Sequence, residues 1–250
     1  MMASAVLKSP SASPSFASYD SHFIWWNCNG LSHAKLSQLS SASRSCRNVL
    51  AFFTIESKHD VLPLPLSANA RSLDDFEAVR LPFEAGHAGI VAFVRKAHGL
   101  SWRVRSDLTR SKHFLIIQLR PPGASTDFIV AAGYRWQKQS SSEWQQMLDT
   151  FHAIAKQNLP ALIGGDWNAR STEFGDSHSN SFGNALAKCA DDCGFTCINT
   201  LLCPKQPTRN HSFLDLVFSN APKRIASMVI PPDLLQSDHL PICIMLVNAR

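Results

Sequence analysis

Residues 161–170, ALIGGDWNAR, set a carboxylate and an amide two positions apart directly after an apolar run. A short apolar run closed by glycine reads as a strand buried on both faces. Gly164 and Gly165 are expected to end it at the sheet edge. Asp166 and Asn168 then stand at the strand mouth, where open α/β sheets place ligand-binding groups. Taken alone, the stretch equally suits an Asp-x-Asn turn that satisfies its own backbone.

The pattern recurs. Apolar runs deliver Asn27 and Asn29 in WWNCNGL, Glu56 in TIESK, Tyr134 in AAGYRW, Thr208 in QPTRN, Asp215 in SFLDLVF, and Asp238 with His239 in SDHLPI. Unpaired, such charges would be costly to bury, so convergence into one pocket is expected. Oxygen donors from Glu, Asp and Asn, with few His and no Cys, match Mg²⁺ or Mn²⁺. A divalent cation beside a His–Asp pair suits hydrolysis of a phosphate ester: the cation neutralises phosphoryl oxygens while a carboxylate activates water.

The elements that must hold these groups are mostly short strands rich in β-branched and aromatic residues. They are expected at 23–27, 49–54, 89–95, 102–106, 113–119, 127–134, 161–164, 196–200, 213–219 and 241–247. WRVRS alternates and should be half exposed, with Arg103 and Arg105 on one face; HFLIIQL and DFIVAAG are apolar almost throughout and should be central. Trp144, Met147, Leu148, Phe151 and Ile154 recur at helical spacing, predicting a helix over 143–157 capped by Ser142. A second helix is expected over 181–193, ended by Gly194, and a weaker, serine-rich one over 34–46. About ten strands with few helices imply two sheets face to face with helices outside.

At 250 residues and 45% apolar content the chain suits one large domain. Residues 1–21, rich in Ser, Ala and Pro, read as a disordered leader and leave organelle targeting open; the domain is expected over 22–250. Residues 58–75 read as a long surface loop. The formal charge of +5 fits an anionic partner such as nucleic acid without demanding one. No apolar run approaches the ~20 residues of a membrane helix. Seven cysteines with no CxxC pair point to a reducing compartment, nucleus or cytoplasm. Cys189, Cys193 and Cys197 invite a zinc reading. The spacing instead favours buried small hydrophobes, and no zinc site is assigned. His113 and His152 match no motif.

The ordered set WNCNGL, IESK, GYRW, GGDWNAR, LDLVF and SDHLPI resembles the endonuclease/exonuclease/phosphatase superfamily, the DNase I-like fold, from about residue 23 to 247. The section from GGDWNAR through QPTRNHSFLDLVFSN looks like the endonuclease domain of non-LTR retrotransposons. The resemblance implies a four-layer α/β sandwich of two mostly antiparallel sheets. It implies a Mg²⁺- or Mn²⁺-dependent endonuclease acting on DNA, once fused to a reverse transcriptase. Glu56 would be the main metal ligand, supported by Asn27, Asn29 and Asp238. Asp166 would orient or deprotonate water, and Asn168 and Tyr134 would hold the scissile phosphate. His239, oriented by Asp215, would stabilise charge on the phosphorane oxygens, and Thr208 would contact phosphate. Independently of the resemblance, the alternation that puts Arg103 and Arg105 on one face lets them, with Arg110, Lys112, Arg135 and Lys138, track DNA phosphates beside the pocket, the rival reading being a solvated strand face. Arg135 and Trp136 stand where the family has a small residue and Pro, and Ile55 where it has Gln. An inactive retroelement-derived remnant or binding module, and a phosphatase acting on a small substrate, are the competing readings.

Overall fold

The computed structural model describes residues 22–45, 48–58, 73–81, 89–232 and 237–247. The leader at 1–21 and most of the 58–75 loop lie outside them. In chain order the elements are β1 (Phe23–Asn27), α1 (His33–Ser45), β2 (Ala51–Ile55), β3 (Phe76–Arg80), β4 (Ile90–Arg95), β5 (Ser101–Val104), β6 (Phe114–Arg120) and β7 (Phe128–Tyr134). There follow α2 (Ser141–Ala155), β8 (Ala161–Asp166), α3 (Ser181–Asp192), β9 (Thr196–Cys197), α4 (Ile198–Leu202), β10 (Asp215–Ser219), β11 (Ile225–Val229) and β12 (Ile242–Leu246).

Two six-stranded sheets result, ordered β11-β12-β1-β2-β4-β3 and β5-β6-β7-β8-β10-β9. Each is antiparallel except for one central parallel pair, β1 with β2 and β7 with β8. A helix bridges each parallel pair: α1 between β1 and β2, α2 between β7 and β8. The two β-α-β units therefore end their paired strands in register, Asn27 beside Ile55 and Tyr134 beside Asp166.

Alternation along the strands builds four layers. Phe23, Trp25, Phe53, Val130, Ala132, Leu162 and Val217 join one cluster between the sheets. Their neighbours Ile24, Trp26 and Phe52 join Leu36 and Leu39 of α1, while Ile129, Ala131, Ile163 and Phe218 join Trp144 and Phe151 of α2. Strands covered on both faces carry apolar residues on both, which explains the unbroken run of β7 and that of β6 up to Gln118.

The glycine pair of β8 has a different purpose from the one expected. The strand runs through Gly164 and Gly165 to Asp166 in the middle of its sheet. A Cβ on Gly164 would lie 2.6 Å from the Trp25 indole, and one on Gly165 would lie 2.1 Å from the carbonyl oxygen of Gly133. Close approach, not termination, requires glycine here. Trp25 uses that space to reach across the sandwich, its Nε1 donating to the carbonyl of Ala131 at 3.0 Å.

Other expectations shift. TCINT is a strand only over Thr196–Cys197 and becomes α4 at Ile198. The physical reason is Asn199, whose Nδ2 donates to the Asp215 carbonyl (3.1 Å) and whose Oδ1 accepts the Val217 N–H (2.8 Å). One side chain thereby satisfies the edge of β10 that a longer β9 would have paired. Helix α2 is capped by Ser140 rather than Ser142: Ser140 accepts the Glu143 N–H, and Glu143 accepts the Ser140 N–H at 3.0 Å, a reciprocal capping box. The edge strands β3 and β11 were not expected; each buries a single side chain, Phe76 or Met228.

Candidate active site

Strand ends from both sheets meet at one end of the sandwich. Asp166 closes β8, Asp215 opens β10 directly opposite it, and His239 enters on the loop before β12. His239 Nδ1 lies 2.8 Å from Asp215 Oδ2. Single donor atoms of Asp166, Asp215 and His239 all fall within 4.8 Å of one another. Asn27, at the tip of β1 in the other sheet, donates Nδ2 to Asp166 Oδ2 at 2.8 Å, and the backbone N–H of Asn168 donates to Asp166 Oδ1 at 3.1 Å. The turn reading of Asp166 is thus half true: it does bond two residues on, and it also crosses to the opposite sheet.

The three charged groups are almost closed to solvent, at 1% exposure for Asp166, 4% for Asp215 and 3% for His239. Burial, reinforced by the charge of Asp215, pushes the Asp166 carboxyl well above the ordinary carboxylate range, against the opposing pull of His239 and Asn27. Burial alone would lower the His239 imidazole, but the Asp215 carboxylate bonded to it and the nearby Asp166 outweigh that and raise it to about 9. Asp215 is itself held from behind. Its backbone N–H donates to Thr208 Oγ1 at 3.1 Å, and its carbonyl accepts from Asn199.

A second, more open group faces this one. Glu56 follows β2 with a left-handed backbone, φ 55°, and Asn29 follows β1 with φ 43°. For residues with a side chain this conformation costs roughly 1 kcal/mol or more, and such strain collects where function fixes the backbone. Asn29 is set by its N–H donating to Asn27 Oδ1 (3.0 Å), and the next residue, Gly30, donates to the Glu56 carbonyl (2.6 Å). Tyr134, at the tip of β7, donates its hydroxyl to Glu56 Oε1 at 2.6 Å, joining the two sheets. Burial, then the Glu56 carboxylate, drives the Tyr134 phenol upward, so it stays a donor. The Lys58 ammonium completes the group, 3.4 Å from Glu56 Oε2 and 2.5 Å from Asn29 Oδ1.

Nine of the expected residues converge in this way: Asn27, Asn29, Glu56, Tyr134, Asp166, Asn168, Asp215, Asp238 and His239. Asp238 sits at the rim, ion-paired to Arg209 at 2.6 Å, and although burial works against it, His239 and Arg209 hold its carboxyl below the usual range. Thr208 is fully buried behind Asp215, with its oxygen used to hold that residue's backbone, so it supports the site from behind rather than facing a substrate. Arg135 is also turned inward. It lies 3.5 Å from the Phe182 ring centroid and donates to the Asn168 carbonyl at 2.9 Å, which locks the turns after β7 and β8 together. Arg103 and Arg105 do not form an exposed basic stripe: Arg105 is buried in a 2.7 Å ion pair with Asp107, and both arginines bond Gln118. Alternation placed them on one face, but Gln118, Asp107 and, just beyond α2, Gln157 claim their guanidinium groups.

Three residues escaped the sequence reading. Ser237 donates to the Asn27 carbonyl (2.8 Å) and accepts the His239 N–H, tying the His239 loop to β1. Lys58 and Arg209 supply positive charge at the rim. Each is adjacent to a motif, in IESK, PTRN and QSDH, and proximity along the chain was the available signal.

The family described as endonuclease-reverse transcriptase matches residues 128–243. Similar solved structures include the endonuclease domain of TRAS1, a telomere-specific non-LTR retrotransposon, at 17% identity and TM-score 0.70, covering 91% of this chain and 98% of that one. The AP endonuclease LMAP from Leishmania major aligns at 16% identity and TM-score 0.73, over 90% of this chain and 87% of that one. A 3′ phosphatase from Neisseria, bound to a product DNA hairpin, aligns at 14% identity and TM-score 0.63, covering 90% and 99%. Residues 128–243 are thus similar to that family, and the fold of the chain is the DNase I-like one of these structures. No curated protein matches it by sequence. The DNase I-like architecture accounts for the paired β-α-β units, and the converging strand ends lie where the two units meet. No helix among the described residues is long and apolar enough to cross a membrane.

Proposed function

We propose that this chain is a divalent-cation-dependent phosphodiesterase that nicks double-stranded DNA, an endonuclease of the non-LTR retrotransposon kind. The observation that carries the reading is the buried His239–Asp215 pair set against Asp166, with Asn27 reaching from the opposite sheet to hold the same carboxylate.

The donor set on the open side fits Mg²⁺ or Mn²⁺. Glu56 offers a carboxylate and Asn27 and Asn29 offer amide oxygens, all hard donors, and the Lys58 ammonium already sits among them. Glu56, Asn29 and Asn27 would hold the cation, with Asp238 joining only by leaving Arg209. When bound, the cation supplies charge neutralisation on the phosphoryl oxygens.

The remaining work falls to the protein. His239, with Nδ1 committed to Asp215, presents Nε2 to a non-bridging phosphate oxygen and carries positive charge at neutral pH. It therefore stabilises negative charge developing on the phosphorane. Asp166 orients the attacking water and accepts its proton. Only the ionised carboxylate can accept that proton; a carboxyl raised toward neutrality is the stronger base once ionised, and its ionised fraction grows as pH rises. Tyr134 and Asn168 flank the phosphate, and Arg209 at the rim provides a contact for the DNA backbone.

Conversion of supercoiled plasmid to the open-circular form tests the proposal. Nicking is expected with Mg²⁺ and not with EDTA. Nicking undiminished by EDTA overturns the cation requirement, and absence of nicking under both conditions favours an inactive remnant.

A further inference from the structure

On the outer face of the second sheet, away from the strand ends, helices α2 and α3 pack together and bring three soft ligands to one point. His152 lies in the last turn of α2; Cys189 lies in α3 and Cys193 caps it, four residues on and so on the same helical face. Cys193 Sγ is 3.1 Å from His152 Nδ1, and Cys189 Sγ is 3.9 Å from His152 Nε2. One ligand atom from each residue lies within 4.8 Å of the other two. The geometry points to a zinc site formed by His152, Cys189 and Cys193, pinning α2 to α3.

The distances suit a tetrahedral ion. With Zn–S near 2.3 Å and Zn–N near 2.0–2.1 Å, tetrahedral ligand atoms stand about 3.5–3.8 Å apart. The two observed separations bracket that span, and they involve opposite nitrogens of an exposed ring. A rotation of that ring brings one nitrogen to face the ion. Two thiolates with one imidazole select zinc over Mg²⁺ or Ca²⁺, which prefer oxygen. Binding releases the two thiol protons to solvent, so Zn²⁺ with two thiolates carries no net charge and Cys189 need not be buried as a bare anion. Water fills the fourth position. Asp149, one turn before His152, and Asp192, beside Cys193 and ion-paired to Lys188 at 2.8 Å, flank the ligands. His152 and Asp149 also border an open groove of about 510 Å³.

The third cysteine of the run plays no part. Cys197 lies on β9, buried, with its carbonyl accepting the Thr200 hydroxyl. His152, 41 positions before Cys193, takes the place that spacing alone had suggested for Cys197. The helices so joined cover β7, β8 and β10, which carry Tyr134, Asp166 and Asp215. The site is independent of the proposed nuclease activity.

Cobalt(II) reports it directly. The reduced full chain, stripped of metal, is titrated with Co²⁺ in excess Mg²⁺, which occupies oxygen-donor positions. One Co²⁺ per chain is expected, with a thiolate-to-cobalt charge-transfer band that Zn²⁺ displaces. His152 is exposed and Cys193 half-buried, so His152→Ala and the near-isosteric Cys193→Ser should fold, as circular dichroism will check; both should lose most of the band. Zinc should raise the melting temperature of the wild type but not of His152→Ala. Cobalt binding without a thiolate band, or bands of equal intensity in wild type and both variants, overturns the site.

Discussion

The two halves of the candidate active site solve opposite problems. On one side, His239, Asp215 and Asp166 are all but excluded from water and bonded on several sides. On the other, Glu56 keeps 17% of its side chain exposed and Lys58 keeps 46%. Burial and then the charge of Asp215 lift the Asp166 carboxyl, and the two carboxylates together lift the His239 imidazole against its own burial. Charge there is fixed in place before any substrate arrives, which is how an active site stabilises a transition state without reorganising. The open side holds an ion pair that solvent screens and that another cation can replace at little cost. Permanent chemistry is thus separated from exchangeable chemistry, with the Tyr134 hydroxyl as the bond between them.

Removing the closed side's groups should have the largest effect. Asp166→Ala and His239→Ala are each expected to slow plasmid nicking by ~10²–10⁴-fold at saturating Mg²⁺, the span for losing a positioned acid–base group. The double variant should lose far less than the product, since both groups serve one transition state. Wild-type rates in either single variant would break the comparison.

Thr208→Val probes the support behind it. The substitution keeps the shape and removes the oxygen that accepts the Asp215 N–H, leaving a buried donor unpaired at a cost of about 1–3 kcal/mol. Chemical denaturation should show that loss. A direct role in phosphate binding would instead raise KM with stability unchanged.

The pH dependence sharpens the contrast between fixed and exchangeable charge. The folded His239 pKa near 9 exceeds the ordinary 6.5, so its contribution to stability is complete below pH 6.5 and is lost as pH rises through 9. Asp166, raised in the folded state, keeps a proton that the unfolded chain has already released, so rising pH erodes stability through this group too. The melting temperature should therefore fall from pH 6.5 to 9. In Asp166→Asn it should fall less steeply, because one of the two linked groups is gone. Identical slopes would show that Asp166 is not raised.

The smallest effect belongs to the open side. Lys58→Ala should change stability by less than about 1 kcal/mol, as partly exposed ion pairs do. The Mg²⁺ concentration for half-maximal nicking should drop, since the competing ammonium is gone. A rise would assign Lys58 to substrate binding instead.

Much of this arrangement was legible in the chain. Apolar runs located the central strands because strands covered on both faces leave no room for polar residues, and the groups that follow those runs could only stand at strand ends. Edge strands β3 and β11 were not legible: each buries a single side chain, and neither shows the polar–apolar alternation that marked the likewise exposed β5. Helix α4 was hidden because the side chain of Asn199, not a propensity, replaces a strand partner of β10.

What the sequence determined by itself is an inventory with an order: which residues carry chemistry, and that each follows a buried run. Only the tertiary structure decided their roles, because orientation and partnership depend on atoms far apart in the chain. Asn27 and Asp166 are 139 positions apart and share a hydrogen bond. Arg135 and Arg105 had the composition of DNA contacts, yet a ring and a carboxylate turn them inward. Cys193 was grouped with Cys197 by spacing, and packing of α3 on α2 paired it with His152 instead. Periodicity constrains which face of an element is buried, but which charge meets which is settled by the packing of one sheet or helix against another.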